Sequence, residues 1–249
     1  MHSEANTQPW SAGAAPPNRR PSMRAMLPAG TAVRESFDHT AEAPLFPEEA
    51  LIVAGAVEKR RCEFATGRHL ARQALADLGI LPAPIPQGAG RDPRWPLGIV
   101  GSITHCTGYC AAVVSRAALL AAIGIDAEPR ASLPDGVLRL ISSEPERRWI
   151  RARRGDGICW DRLLFSAKEA VFKAWFPLTG RWLDFDEVVV TFNPDLETFR
   201  AEFLCGRLMV ASRVLDGFEG RYVVADRHVF ACVAIDSHPS PGRSGRWHG

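Results

Sequence analysis

The sequence predicts an α+β protein built as two similar halves, and three observations carry that prediction. Helical signals fill residues 47–79, and return over 134–152 and 158–176. Short β-like runs stand between and after them, such as GIVGSIT (98–104) and HVFACVAID (228–236). The order helix, strands, helices, strands fits an α+β architecture. With 249 residues, 46% hydrophobic and 23% charged, the chain has the makeup of a globular protein with a sizeable core.

The elements follow in order. Residues 1–30 are rich in Pro, Ala, Ser and Gly and lack the apolar run of a secretory signal, so a disordered leader is expected. Pro47 and the acids after it open the first helix, and Gly79 closes it. Pro and Gly make 81–98 a loop. Strands are expected at 98–104, 109–115 and 120–128, the first two joined by the turn HCTG into a hairpin. After the two later helices come strands at 187–192, 199–204, 220–226 and 228–236. The halves are set at 31–120 and 121–236, with a disordered tail over 237–249. No sequence repeat relates them.

Composition excludes several classes. A net charge of +2 gives no general field for nucleic acid, so an anionic ligand must rely on local clusters. The six cysteines form no CxxC pair, which reads as reduced thiols in a cytoplasmic protein. No run of about 18 apolar residues is present, so no membrane span is expected.

Two short stretches carry chemistry. In AIGIDAEP, Ile123 and Ile125 point one way while Gly124, Asp126 and Glu128 point the other. The two carboxylates then stand about 7 Å apart at the backbone and can converge on one cation. Pro129 ends the strand beside them, and Gly124 leaves room next to Asp126. A magnesium ion needs only two or three carboxylates, because it keeps several waters. A solvated strand face is the bland alternative for any such pair.

The second stretch is FSAKEAVFKAW (165–175). On a helix, Trp160, Leu164, Ala167, Val171 and Trp175 form one apolar stripe. Glu169 lies nearly opposite, yet Phe165, Phe172 and Phe176 flank it. That second face should also be covered, by the other half of the molecule. Glu169 and Lys173 are four apart; an exposed pair would contribute only about 0.3–0.5 kcal/mol. Covered charges need stronger partners, such as a metal for Glu169 and a phosphate for Lys173.

GSITH, IGIDAE and WDRLLFSAKEAVFKAW, in this order and at these separations, resemble the three signatures of the 4'-phosphopantetheinyl transferases. The length resembles the monomeric branch in which two similar halves form a pseudo-dimer. The likeness spans about residues 44–236. It implies transfer of phosphopantetheine from coenzyme A to a serine of an acyl or peptidyl carrier protein, with release of 3',5'-ADP. It implies Mg²⁺, or Mn²⁺, held by Asp126, Glu128 and Glu169. Catalysis would rest on Glu169, Lys173 and Asp126, with Glu169 taking the serine proton and Lys173 holding a phosphate oxygen. Lys168 would be a second phosphate contact, and Thr104 and His105 would stand at the family's Ser-His phosphate site. EKRRCEFATGR (58–68) resembles the segment that receives the 3'-phosphate, with Arg60 and Arg68 as the matching residues. They lie two turns apart and about 40° from a common line, so both can reach one anion. GRDPRWP (90–96) resembles the family's Gly-Lys-Pro loop, with Arg91 in place of lysine and Asp92 inserted. Either Glu144 or Glu146 could add an acidic contact. The alternatives are a magnesium-dependent nuclease and a nucleic-acid-binding module; the helical spacing of Glu169 and Lys173 disfavours the first and the small net charge the second.

Overall fold

The computed structural model describes residues 22–37 and 43–238. The expected leader and tail therefore lie mostly outside the described residues. The leader boundary needs correction: Ser22 caps a 3-10 turn, Met23–Met26, and both methionines are buried. They pack with Val33, Tyr109 and Phe230, so apolar burial orders the chain well before residue 30.

The first half is one long helix on a small antiparallel sheet. Strand β1 is Ala32–Ser36, β2 is Ile99–Cys106 and β3 is Tyr109–Arg116, in the order β1-β3-β2. The sequence reading missed β1. The single helix expected over 47–79 is two, α1 (Pro47–Ile52) and α2 (Glu58–Asp77). Turns at Val53–Val57 break them apart. Glu49 of α1 is buried and accepts two hydrogen bonds from Arg72 Nη1 of α2, at 2.8 and 2.9 Å, and one from Ile85 N. That pairing docks α1 where a straight helix could not reach. Leu70, Ala71, Ala74 and Leu75 of α2 then fill a core with Ala112 and Val114 of β3.

The C-terminal part holds a larger sheet. Strand β4 (Leu120–Pro129) lies at one edge of the order β4-β10-β9-β6-β5. The others are β5 (Val188–Asn193), β6 (Thr198–Phe203), β9 (Gly217–Val224) and β10 (His228–Asp236). A small hairpin, β7 (Leu208–Val210) with β8 (Arg213–Leu215), was not foreseen. The helix expected over 134–152 is also two, α3 (Val137–Ile141) and α4 (Glu144–Arg151). Ser143 and Glu146 form a reciprocal cap that starts α4 afresh. Helix α5 runs Trp160–Thr179, and its predicted stripe is buried at every position. Gly180, with φ of 64°, ends it in the left-handed region that glycine tolerates.

Gly124 sets how closely α5 approaches the sheet. A side chain there would collide with the backbone of Ala170 and Ala174, so helix backbone rests directly on strand β4. This close approach brings Glu169 and Lys173 beside the end of β4. The room left by Gly124 thus serves the helix rather than Asp126.

The halves are also stitched together where β2 passes β4. Ser102 Oγ accepts from Ile125 N at 3.1 Å, and Thr104 Oγ1 accepts from Ala127 N at 3.1 Å. Two hydroxyls on β2 thereby satisfy amides that β4, an edge strand, would otherwise leave unpaired.

Candidate active site

A cleft of about 430 Å³ opens between the halves. The 90–95 loop and β2 form one wall, and α5 forms the other, presenting Glu169, Phe172, Lys173 and Phe176. The phenylalanines are half-buried, as the covered-face reading requires. Phe176 sits against Gly90 of the first half, where any side chain would collide with its ring. Phe172 packs on Trp182 with ring centroids 4.6 Å apart, and Phe165 faces Phe185 at 5.9 Å. The cover therefore comes from both halves rather than from the first alone.

Asp126 is the hub. It is buried, and its Oδ1 accepts from Lys173 Nζ at 2.7 Å and from Thr104 Oγ1 at 3.2 Å. Lys173 also donates to the Ile125 carbonyl at 3.1 Å. Asp126 Oδ2 is buried with no hydrogen-bond partner among the described residues. Thr104 is itself buried, so its hydroxyl orients Asp126 and β4 rather than facing the cleft.

Burial pushes the Glu169 carboxyl above its ordinary range; Lys173 opposes that shift and Asp126 adds to it. Glu128 is raised to about 6, again chiefly by burial and then by the charge of Asp126. Its partner is Arg162, at 2.9 Å. Arg162 also donates to the carbonyls of Ala131 and Ser132, which pins the chain after β4 to the first turns of α5. The sequence reading gave Arg162 no role, although its spacing of seven from Glu169 places both on one helical face. Among the described residues, no three His, Cys, Asp or Glu side chains stand gathered around one point as a metal site. Asp126, Glu128 and Glu169 are neighbours in which two of the acids are held by cations.

His105 and Arg60 meet on the β2 side. Arg60 Nη1 donates to His105 Nε2, and Glu63 lies 3.7 Å from the ring and 3.9 Å from Arg60. A guanidinium cannot accept a hydrogen bond, so the imidazole nitrogen must, and the ring is neutral. Burial first, and the nearby cations Arg60 and Lys173, lower the proton affinity of His105.

Arg68 is buried over the Phe64 ring at 4.4 Å, and its Nε lacks a partner among the described residues. Burial lowers its pKa to about 10. Arg91 lines the cleft from the tip of a tight loop, in the left-handed region at φ of 63°. Arg94 lines it too and was missed.

Lys168 must be withdrawn as a cleft residue. It is fully buried on the far side of α5, 3.1 Å from Glu146 Oε1 and 2.8 Å from the Phe185 carbonyl. Glu146 also accepts from Val190 N at 2.8 Å. Adjacent to Glu169 in sequence, Lys168 points about 100° away on a helix. Glu144 is exposed and paired with Arg147 and Arg151. Neither glutamate reaches the cleft.

Residues 47–115 match the family model for the 4'-phosphopantetheinyl transferase N-terminal domain, and residues 122–226 match that of the 4'-phosphopantetheinyl transferase superfamily. The chain is 50% identical over 217 residues to 4'-phosphopantetheinyl transferase Svp of Streptomyces mobaraensis, covering 85% of this chain and 88% of that one. It is 43% identical to 4'-phosphopantetheinyl transferase Npt of Nocardia iowensis, covering 84% and 97%. It is 48% identical over 194 residues to 4'-phosphopantetheinyl transferase PptT of Mycobacterium tuberculosis, covering 76% and 85%. With residues 47–115 and 122–226 matched and relatives 43–50% identical over most of the chain, the chain belongs to the 4'-phosphopantetheinyl transferase superfamily.

Proposed function

We propose that the protein transfers the 4'-phosphopantetheine arm of coenzyme A to a serine of an apo acyl or peptidyl carrier protein, as a monomer in the cytoplasm. The observation that carries this reading is the meeting of Glu169 and Lys173 with Asp126 beside a cleft lined by both halves. Two similar halves meeting near residue 120 are supported by the interval between the matched regions, 115 to 122. Free cysteines accord with a reducing compartment, and no helix among the described residues is long and apolar enough to cross a membrane. Nothing in the comparisons favours a nuclease or a nucleic-acid-binding module.

The serine oxygen attacks the phosphorus that bears the pantetheine arm. The bond from that phosphorus to the bridging oxygen breaks, and the electron pair leaves with 3',5'-ADP. Glu169 takes the serine proton, helped by the raised proton affinity that burial gives it. Lys173 and Arg91 oppose the charge on the phosphate oxygens. Arg60, His105 and Arg68 receive the 3'-phosphate, with Arg60 turning from the imidazole to the anion.

Mg²⁺ or Mn²⁺ is implied by the family, and the residues fit it. A buried carboxylate oxygen without a hydrogen-bond donor, Asp126 Oδ2, is the kind of ligand a hard cation takes. Asp126, Glu128 and Glu169 would hold the ion, with Glu128 released from Arg162. When bound, the ion neutralises charge on the pyrophosphate oxygens.

Mass spectrometry of apo carrier domains incubated with protein, coenzyme A and Mg²⁺ tests the reading. The carrier should gain one phosphopantetheine arm. No gain across fatty-acid, polyketide and peptide-synthase carriers would overturn it.

A further inference from the structure

The acids of the site are not equally available to a ligand. Asp126 keeps one oxygen, Oδ2, buried and without a donor. Glu169 is half-buried and accepts no hydrogen bond among the described residues. Glu128 differs from both. Its Oε2 accepts from Arg162 Nη1 at 2.9 Å, and the two side chains are largely withdrawn from water, at 18% and 16% exposure. Glu128 is therefore the acid whose release requires an ion pair to break.

The pairing follows from two facing rows of charge. Arg162, Glu169 and Lys173 share one face of α5, because spacings of seven and four return to nearly the same direction. Asp126 and Glu128 share one face of β4. Lys173 meets Asp126 at 2.7 Å and Arg162 meets Glu128, with Glu169 between the two cations along the helix. The other donors of Arg162 go to backbone: Nε to the Ala131 carbonyl at 2.9 Å and Nη2 to the Ser132 carbonyl at 3.0 Å. A guanidinium held by two carbonyls keeps its place when its third contact is lost. Asp161 Oδ2 also accepts from Leu133 N at 2.8 Å, so the chain after β4 has a separate tie to α5. Glu128 can thus leave Arg162 without unpinning that chain.

Resting on the transferase reading and its divalent ion, we infer that Arg162 is a positioning residue that competes with that ion for Glu128. In the free protein the guanidinium occupies the carboxylate and holds ion affinity down. A divalent ion carries twice the charge of a guanidinium, and substrate phosphates add further oxygen ligands, so Glu128 changes partner when ion and coenzyme A are both present. Arg162 then stays on Ala131 and Ser132, ready to take Glu128 back when product and ion depart.

The test is Mn²⁺ affinity, read by electron paramagnetic resonance without coenzyme A, for wild type, Arg162→Gln and Arg162→Lys, with folding checked by circular dichroism. Arg162→Gln should bind Mn²⁺ about tenfold more tightly than wild type, an effect of the size that groups behind metal ligands exert. Arg162→Lys keeps the charge but cannot hold Glu128 and two carbonyls at once, so its gain should be smaller and of the same sign. On a Glu128→Gln background, which has no carboxylate to release, Arg162→Gln should lose most of that gain. An affinity equal to wild type in the folded variants overturns the inference. So does weaker binding, which would mean that Arg162 props Glu128 toward the ion, and so does a full gain that persists without Glu128. Ion binding is read without transfer, so wild type that loads no carrier overturns the transferase reading separately.

Discussion

Lys173 Nζ stands 2.7 Å from Asp126 Oδ1 and leaves the second oxygen of that carboxylate buried and bare. One cation thus compensates half of a buried acid. A lysine on a helix and an aspartate on a strand, 47 residues apart, are held at this distance by backbone packing at Gly124 and by a hydroxyl from β2. Each support can be removed separately.

Gly124→Ala puts a methyl into the backbone of α5, which cannot yield as a side chain would. We expect a loss of about 3 kcal/mol in stability, since overpacking in a core costs up to that amount. Activity should fall further than stability explains, because Glu169 and Lys173 move with the helix. Chemical denaturation and turnover on the same sample check both.

Thr104 serves β4 twice, through Ala127 N and Asp126. Thr104→Val should cost about 1–3 kcal/mol by leaving a buried amide unpaired. Thr104→Ser keeps the hydroxyl and should be close to wild type in stability and KM. A Val variant as stable as wild type would show that the hydroxyl does not bridge the halves.

Lys168 and Glu146 form a buried pair, so losing one partner strands the other. Lys168→Met should destabilise the fold by about 3–5 kcal/mol. Protein that remains folded at low temperature should keep its KM for coenzyme A. A selective rise in that KM would return Lys168 to the binding site.

His105 has a native pKa below the ordinary 6.5. As pH falls through about 6.5, the unfolded chain takes up the proton before the native one does. Stability from this group is therefore complete above that pH and declines below it. An anion at Arg60 and His105 reverses the shift, so coenzyme A binding near about pH 6 should take up a proton. Calorimetry in two buffers of different ionisation enthalpy measures the uptake, and His105→Gln should abolish it.

Much of this arrangement was legible because periodicity reports faces. The α5 stripe was placed residue by residue, whereas the pairing of Asp126 with Lys173 was not foreseen, because the reading gave Asp126 to a metal and Lys173 to a phosphate. Periodicity failed where tertiary contacts decide. The buried Glu49–Arg72 pair splits the first expected helix, and the Ser143 cap splits the second, although both read as continuous. Lys168 was misplaced because adjacency in sequence was taken for adjacency in space. Strand β1 pairs with Cys110 to Val114 of β3, and the role of Thr104 depends on Asp126, 22 residues away, both beyond any local pattern.

Manganese binding measured by electron paramagnetic resonance, with coenzyme A present, bears most directly on the claim that β4 and α5 hold a divalent ion. Wild type should bind one Mn²⁺ per chain, and folded Asp126→Asn and Glu169→Gln should each lose it together with transfer. Undiminished Mn²⁺ binding in both variants would contradict the account.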